Sequence, residues 1–160
     1  MDNLEAIDLW KKFVEEHDSF AGDVTVADSA NVDFWFAKDG EKANRVFHCF
    51  ANGGDGSLLA IHSQEGKFDT GAVVHLGHEG DVFVVAKDVP SALALVAASG
   101  DSYEQAIYGD DDLATDKELA AWLKKTFHVE VPKSVAKAVK DVDAHLGKSV
   151  KARVKEINGG

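Results

Sequence analysis

Residues 45–87 read RVFHCFANGGDGSLLAIHSQEGKFDTGAVVHLGHEGDVFVVAK, and this stretch decides the fold. Four short apolar runs, each of strand length, alternate with turns rich in glycine and acidic residues. The runs that we predict as strands are Val46–Ala51, Ser57–His62, Ala72–Leu76 and Asp81–Ala86. Because a parallel crossover needs a dozen or more residues, these closely spaced strands should pair antiparallel.

The segments before this stretch predict a helix and further strands. Apolar residues recur at helical spacing over about residues 3–17, so we expect a helix there, capped by Asp2 or Asn3, with Trp10 against the sheet. The run VDFWFA, residues 32–37, alternates like a strand, and Val24 and Val26 indicate a brief additional one. The sheet should therefore contain five to six strands.

The segments after it predict mainly helices. Asp88 can cap a buried helix over Ser91–Ser99, and Thr115 with Glu118 has the spacing of a capping box for another helix. A further helix should open at Pro132 and end at Gly147, while residues 148–157 fit a helix or a strand equally well. Since Asp81–Ala86 is apolar on both faces, we place that strand near the middle of the sheet.

These elements predict one α+β domain, with a central, mostly antiparallel sheet flanked by helices. Its core should span residues 32–147, with the N-terminal helix before it and a basic C-terminal tail, residues 148–160, after it. A chain of 160 residues is the size of one domain.

The charge is distributed unevenly. The net charge is −11; residues 1–120 hold 8 Lys and Arg against 24 Asp and Glu, and residues 121–160 hold 9 against 4. An acidic body repels phosphate backbones, so we expect no nucleic-acid ligand for most of the surface. A basic protein partner would be attracted and steered, although an acidic surface also serves solubility alone.

The single cysteine and the hydropathy pattern predict the cellular compartment of the protein. Cys49 cannot form an internal disulfide, and its position in an apolar strand predicts a buried, reduced thiol. The first residues lack the pattern of a secretory signal, and no apolar run approaches the ~18 residues of a membrane span. We therefore expect a cytoplasmic protein without a membrane partner.

Histidines in the strands are the candidates for metal or acid–base chemistry. His48, His62 and His75 could bind zinc if adjacent strands brought them to one face. The alternation of each strand instead places His48 and His62 beside apolar neighbours, and the order of His75, His78 and Glu79 is not that of a helical zinc-protease motif. We therefore predict no metal site.

Other chemical motifs are not found. The loop Asn52–Gly56 lacks the Gly-Lys-Ser/Thr of a phosphate loop and precedes a strand, so we interpret it as a hairpin turn. Asp110–Asp112 lacks the glycine and closing glutamate of a calcium loop. No serine nucleophile elbow, kinase signature or dinucleotide fingerprint occurs. We predict a protein that is not an enzyme and holds no cofactor.

Three stretches resemble the SUKH superfamily. They are the glycine-acid turn and strand GGDGSLLAI, residues 53–61, the run VVHLGHEG, residues 73–80, and the run VVAKD, residues 84–88, leading into an apolar helix that ends AASG, residues 97–100. The resemblance covers about residues 34–100. It implies an α+β sheet flanked by helices and a bacterial immunity protein that neutralises a toxin, often a nuclease, in contact-dependent or polymorphic toxin systems.

Carboxylates in the loops at the strand ends are the candidate contacts for such a partner, because these loops can present them together. The predicted partner-binding residues are Asp55, Glu79, Asp81, Asp110, Asp111 and Asp112. Three alternatives remain: a small-ligand or metal-binding domain that uses the histidine-bearing strands, a regulatory adaptor that binds a cellular protein, and, last, a hydrolase.

Overall fold

A computed structural model describes residues 2–17, 24–27, 32–36, 40–53 and 56–159. These residues form an α+β fold around one antiparallel sheet, whose strands follow chain order from β1 to β5. The strands are β1 (Thr25–Val26), β2 (Phe47–Asn52), β3 (Leu58–His62), β4 (Ala72–Leu76) and β5 (Val82–Ala86). The helices are α1 (Asn3–Glu16), α2 (Val32–Trp35), α3 (Gly40–Val46), α4 (Val89–Ser99), α5 (Tyr103–Ile107), α6 (Lys117–Phe127) and α7 (Val135–Ile157).

The antiparallel meander predicted for residues 45–87 is confirmed. Each of β2 to β5 pairs with the next strand along the chain, and the brief strand predicted at Val24 and Val26 is β1, which pairs with β2. In this arrangement the β2–β3 and β4–β5 turns lie at one end of the sheet. The β3–β4 turn lies at the other end.

The strand predicted at residues 32–37 is wrong, because Val32–Trp35 is the short helix α2 and Ala37 lies outside the described residues. The amide of Phe36 donates to the carbonyl of Val32 at 3.0 Å, and both residues are buried in one cluster. Apolar residues at positions i and i+4 fit a helix as well as a strand, so six residues of alternation could not decide between them.

The prediction that Asp81–Ala86 occupies the middle of the sheet is also wrong, since β5 is the last strand in the sheet order. Its apolar character on both faces has another cause. Helices cover both faces of the sheet, and α7 packs along β5. The amide of Val84 donates to Oδ1 of Asp143 in α7 at 2.9 Å. This hydrogen bond gives a partner to a backbone N–H that would otherwise be unpaired at the edge of the sheet.

Two clusters of buried side chains lie on opposite faces of the sheet. One contains Trp10 of α1 and the apolar residues of α4, α5 and α6, and the ring of Trp10 meets that of Phe50 edge-on at 6.2 Å, as predicted for the sheet contact. The other cluster contains Phe36, Phe47, Cys49 and the C-terminal half of α7. Cys49 is buried, as predicted.

Helix α7 does not end at Gly147 but continues to Ile157. Val150, Val154 and Ile157 are buried, so residues 148–157 form part of the packed core and are helical. A Cβ at Gly147 would lie 2.1 Å from Oδ1 of Asp143. The glycine therefore leaves room for the carboxylate that binds β5, and it does not stop the helix.

The helix caps agree in part with the prediction. Asp2 caps α1 and Asp88 caps α4, and each side chain accepts from the amide three residues later. For α6 the cap is Asp116, which accepts from Leu119, and not Thr115. The helix predicted to open at Pro132 is capped by Ser134, two residues later.

Helix length and polarity bear on membrane insertion. The longest helix, α7, has 23 residues and carries many lysines, whereas the apolar helix α4 has only 11 residues. In the part of the chain that the structure describes, no helix combines the length and hydropathy that a membrane span requires.

Candidate functional site

An open cleft of about 560 Å³ lies at the end of the sheet that carries the β4–β5 turn. It lies between that turn, the start of β5 and the short helix α5. The residues that line it are His78, Glu79, Asp81, Glu104 and Tyr108. We call it the acidic cleft, because three of its five residues are carboxylic acids and none is a lysine or an arginine.

The turn between β4 and β5 places one wall of the acidic cleft. The amide of Gly77 donates to the carbonyl of Asp81 at 2.8 Å, and the carbonyl of Gly77 accepts from Nε1 of Trp35 at 2.8 Å. A Cβ at Gly77 would lie 1.8 Å from Oδ1 of Asp81. Any other residue at position 77 would therefore displace the carboxylate of Asp81.

Helix α5 provides the opposite wall. Its residues Tyr103, Ala106 and Ile107 are buried, and the helix packs against α4 and α7, with the hydroxyl of Tyr103 near His75 of β4. Glu104 and Tyr108 are one helical turn apart and both line the cleft. Tyr108 is 56% exposed, one of few large apolar side chains in the described residues that reach solvent to this extent.

His78 lies between two of the carboxylates. Its Nε2 is 3.7 Å from Oε1 of Glu79, and its Nδ1 is 3.9 Å from Oε1 of Glu104. The imidazole is partly exposed, as are both acids.

His75 lies beneath the cleft and is fully buried. Its ring stacks on Phe83, with centroids 4.6 Å apart, and its Nδ1 is 3.2 Å from the hydroxyl of Tyr103. Its Nε2 is 3.9 Å from Oδ2 of Asp81, and that same oxygen accepts a hydrogen bond from the hydroxyl of Tyr108. Asp81 thus connects the buried histidine with the wall of the cleft.

The cleft offers carboxylate oxygens to a ligand. Carboxylates accept hydrogen bonds and attract cations, and guanidinium and ammonium groups are their usual protein partners. The exposed face of Tyr108 adds an aromatic surface over which a cation is also favoured. The chemistry of the acidic cleft therefore favours a positively charged ligand.

The structure brings together part of the predicted partner-binding set. Glu79 and Asp81 both line the acidic cleft, whereas Asp55 lies outside the described residues. A Cβ at Gly56 would lie 3.7 Å from that of His78, so the β2–β3 turn reaches the same end of the sheet.

The predicted residues Asp110–Asp112 lie in the loop after α5 and are exposed. Asp110 and Asp111 line a separate cavity of about 340 Å³, together with Lys133 at the approach to α7. Oδ1 of Asp110 accepts from the amide of Asp112 at 2.9 Å, which organises the loop locally. These aspartates adjoin the acidic cleft through Tyr108 and Gly109 but do not line it.

The strand histidines do not share one face. By register, His48 lies opposite Ile61, and His75 lies opposite Leu59, so both point to the face covered by α1 and α4. His62 points to the other face, where its ring is 5.0 Å from that of Phe47. The three-histidine site considered from the sequence is therefore not formed. Within the described ranges, no group of three or more His, Cys, Asp or Glu is arranged to hold a metal ion.

Burial keeps two of these histidines neutral. Desolvation, with the positive charge of Arg153 as the second cause, lowers the pKa of His62 to about 4. Desolvation also lowers the pKa of His48, with Lys11 as the second cause. Nε2 of His62 has no hydrogen-bond partner among the described residues, which agrees with a neutral ring in an apolar layer.

The sequence reasoning missed Glu104 and Tyr108. Ser102 and Gln105 have the spacing of a short capped turn, and the most distinctive feature of the loop after it is its three aspartates. The available signal was the apolar spacing of Tyr103, Ala106 and Ile107, which predicts a helix with Glu104 and Tyr108 on its other face. No local pattern indicated that this face would meet the β4–β5 turn.

Comparison with known proteins gives no relative: no protein-family model, no curated protein and no solved structure matches this chain. The resemblance to the SUKH superfamily therefore stays a prediction.

Proposed function

We propose that this protein is a non-enzymatic binding module whose acidic cleft docks a basic segment of a protein partner. The observation that supports this best is the lining of the cleft, in which Glu79, Asp81 and Glu104 converge without a lysine or arginine among the lining residues. A basic side chain entering the cleft would pair with these acids and stack on Tyr108.

The resemblance to the SUKH superfamily suggests the kind of partner. A nuclease toxin carries a basic groove for its nucleic acid, and an acidic surface competes for that groove or docks beside it. Residues 1–120, which hold the cleft, carry 24 acidic against 8 basic side chains, so the surrounding field favours the same encounter. We therefore propose that the chain acts as an immunity protein in the cytoplasm of the producing cell.

A binding and neutralisation assay tests the proposal. The partner would be the purified toxin domain encoded next to the gene for this chain, and the measurements would be its dissociation constant and its residual toxic activity. The variant Glu79→Gln/Glu104→Gln removes two negative charges from the cleft, and we expect at least about a tenfold loss of affinity. Asp81 is kept in this variant, because it also contacts Tyr108.

The matched control is Glu65→Gln/Asp69→Asn, which removes two exposed negative charges at the β3–β4 turn, at the other end of the sheet. It should bind and neutralise like the wild type. Equal affinities for the two double variants, or a toxin that the wild-type protein does not bind, would contradict the proposal.

A further inference from the structure

Five exposed lysines lie along one face of α7. They are Lys137, Lys140, Lys148, Lys151 and Lys155. At 100° per residue they fall within an arc of about 80°, across the helix from the buried Val139 and Val150, and they extend over roughly 27 Å of helix. We call this surface the lysine face.

The exposed acid nearest to the lysine face on α7 is Asp141, four residues after Lys137, and within the described ranges most of the lysines form no ion pair. Lys151 pairs with Asp143 at 2.8 Å, and among the described residues no carboxylate forms an ion pair with the other four lysines. Neighbouring lysines three or four positions apart on a helix repel each other. An anionic surface laid against this face would remove that repulsion.

The lysine face and the acidic cleft are parts of one continuous surface. Lys140 and Lys151 line a shallow cavity of about 270 Å³ together with Tyr108, and Tyr108 also lines the acidic cleft. Tyr108 therefore lines two adjoining surfaces, the acidic cleft and the cavity that Lys140 and Lys151 line with Asp143.

This mixed surface restricts the partner. A nucleic acid or an anionic membrane that lay on the lysine face and reached Tyr108 would also approach Glu79 and Glu104, and these acids would repel it. A partner that fits must carry both signs next to each other. A second copy of this chain carries that pattern, and a two-fold axis near Tyr108 would place the lysines of each copy opposite the acids of the other.

We propose that two copies of this chain associate through this surface as a two-fold symmetric dimer, with the lysine face of each against the acidic cleft of the other. This inference goes beyond the proposed function and uses the cleft for a different partner. The second copy covers the cleft, so a basic partner and a second copy compete for it.

Charge-swap variants test the dimer by sedimentation velocity. At about 100 mM salt, where a Debye length of about 10 Å weakens the repulsion between two chains of net charge −11, the wild type should sediment at twice the monomer mass of 17.2 kDa, and it should dissociate at about 500 mM salt. The variants Lys140→Glu/Lys148→Glu and Glu79→Lys/Glu104→Lys should each be monomeric alone. An equal mixture of the two restores opposite charges at both contacts, so a dimer should form again.

The control Lys12→Glu/Lys125→Glu reverses two exposed lysines on α1 and α6 and should remain dimeric. A wild type that stays monomeric at the lower of the two salt concentrations, a mixture that does not associate, or assemblies larger than a dimer would overturn the proposal. Toxin binding measured with Lys140→Glu/Lys148→Glu, which keeps the cleft intact, separates this inference from the proposed function: that variant should bind the toxin even if the dimer proposal fails.

Discussion

Burial of the His62 ring makes the stability of this protein depend on pH. The pKa of His62 is about 4 in the folded chain, below the ordinary value of 6.5. Above about pH 6.5 the ring is neutral in both states, and His62 imposes no penalty. Between pH 6.5 and 4 the unfolded chain binds a proton that the folded chain does not, so stability falls as the pH falls.

The expected loss between pH 7 and pH 4.5 is on the order of 2–3 kcal/mol in the free energy of unfolding. Urea unfolding of wild type and His62→Gln over this range measures it, because glutamine does not titrate and should flatten the profile. The control is His145→Gln, at an exposed position of α7. If His62→Gln kept the full pH dependence of the wild type, the buried, neutral ring would be the wrong description.

A second residue, Asp143, joins α7 to the edge of the sheet. Its Oδ1 accepts from the amide of Val84, and its Oδ2 accepts from Nζ of Lys151. Asp143→Ala should cost about 1–3 kcal/mol, because the amide of Val84 loses its acceptor. Asp143→Asn keeps an acceptor and loses only an exposed ion pair, so its cost should be below about 1 kcal/mol.

Thermal or urea unfolding of these two variants provides the measurement, with Asp141→Ala, an exposed acid two residues away, as the control. A cost for Asp143→Ala no larger than that of the control would show that the bond to β5 does not stabilise the edge strand.

At the residue scale, the features that could be predicted from the sequence are those that depend on neighbouring residues in the chain. The burial of Cys49 and the caps at Asp2 and Asp88 followed from their immediate neighbours. The role of Gly147 did not, because a glycine that leaves space for Asp143 has the same appearance in sequence as a glycine that ends a helix. Glu104 was missed for a similar reason, since its position in the cleft depends on a turn 24 residues away in the chain.

Among the secondary-structure elements, the strands were the most predictable. The turns between β2, β3, β4 and β5 contain glycines, and the runs between the turns are mainly apolar. Runs this short, joined by turns this short, are typical of antiparallel strands that pair with their neighbours along the chain. Helix α2 was not predictable, because a segment of this length satisfies both periodicities.

The main prediction about a secondary-structure element concerns helix α7. Residues 148–157 continue the helix, and Ala152 is exposed within it. Ala152→Pro removes a backbone donor and clashes with the preceding turn, so we expect a loss of about 3 kcal/mol or more. Ala152→Gly at the same position should cost only about 1 kcal/mol.

Circular dichroism and urea unfolding would measure both variants. If proline and glycine at position 152 had the same effect, residues 148–157 would not be helical. In that case the register of the lysine face would also be wrong.

At the scale of the whole molecule, the total charge can be read from the sequence, whereas the positions of the charges on the surface depend on the fold. The totals already indicated an acidic body and a basic C-terminal segment. The fold adds that the β4–β5 turn and α5 gather Glu79, Asp81 and Glu104 in one cleft, with the lysines of α7 beside it. The position of β5 at the edge could not be derived, because cover by α7 makes an edge strand as apolar as a central one.

The dependence of the association rate on ionic strength tests the central claim, docking of a basic partner at the acidic cleft, most directly. Stopped-flow mixing with the toxin domain would compare wild type, Glu79→Gln/Glu104→Gln and Glu65→Gln/Asp69→Asn. We predict that the wild type and the Glu65/Asp69 variant associate fast at low salt and slow steeply as salt rises, while the cleft variant is slower and its dependence shallower. The same rate and the same salt dependence for all three proteins would contradict the claim.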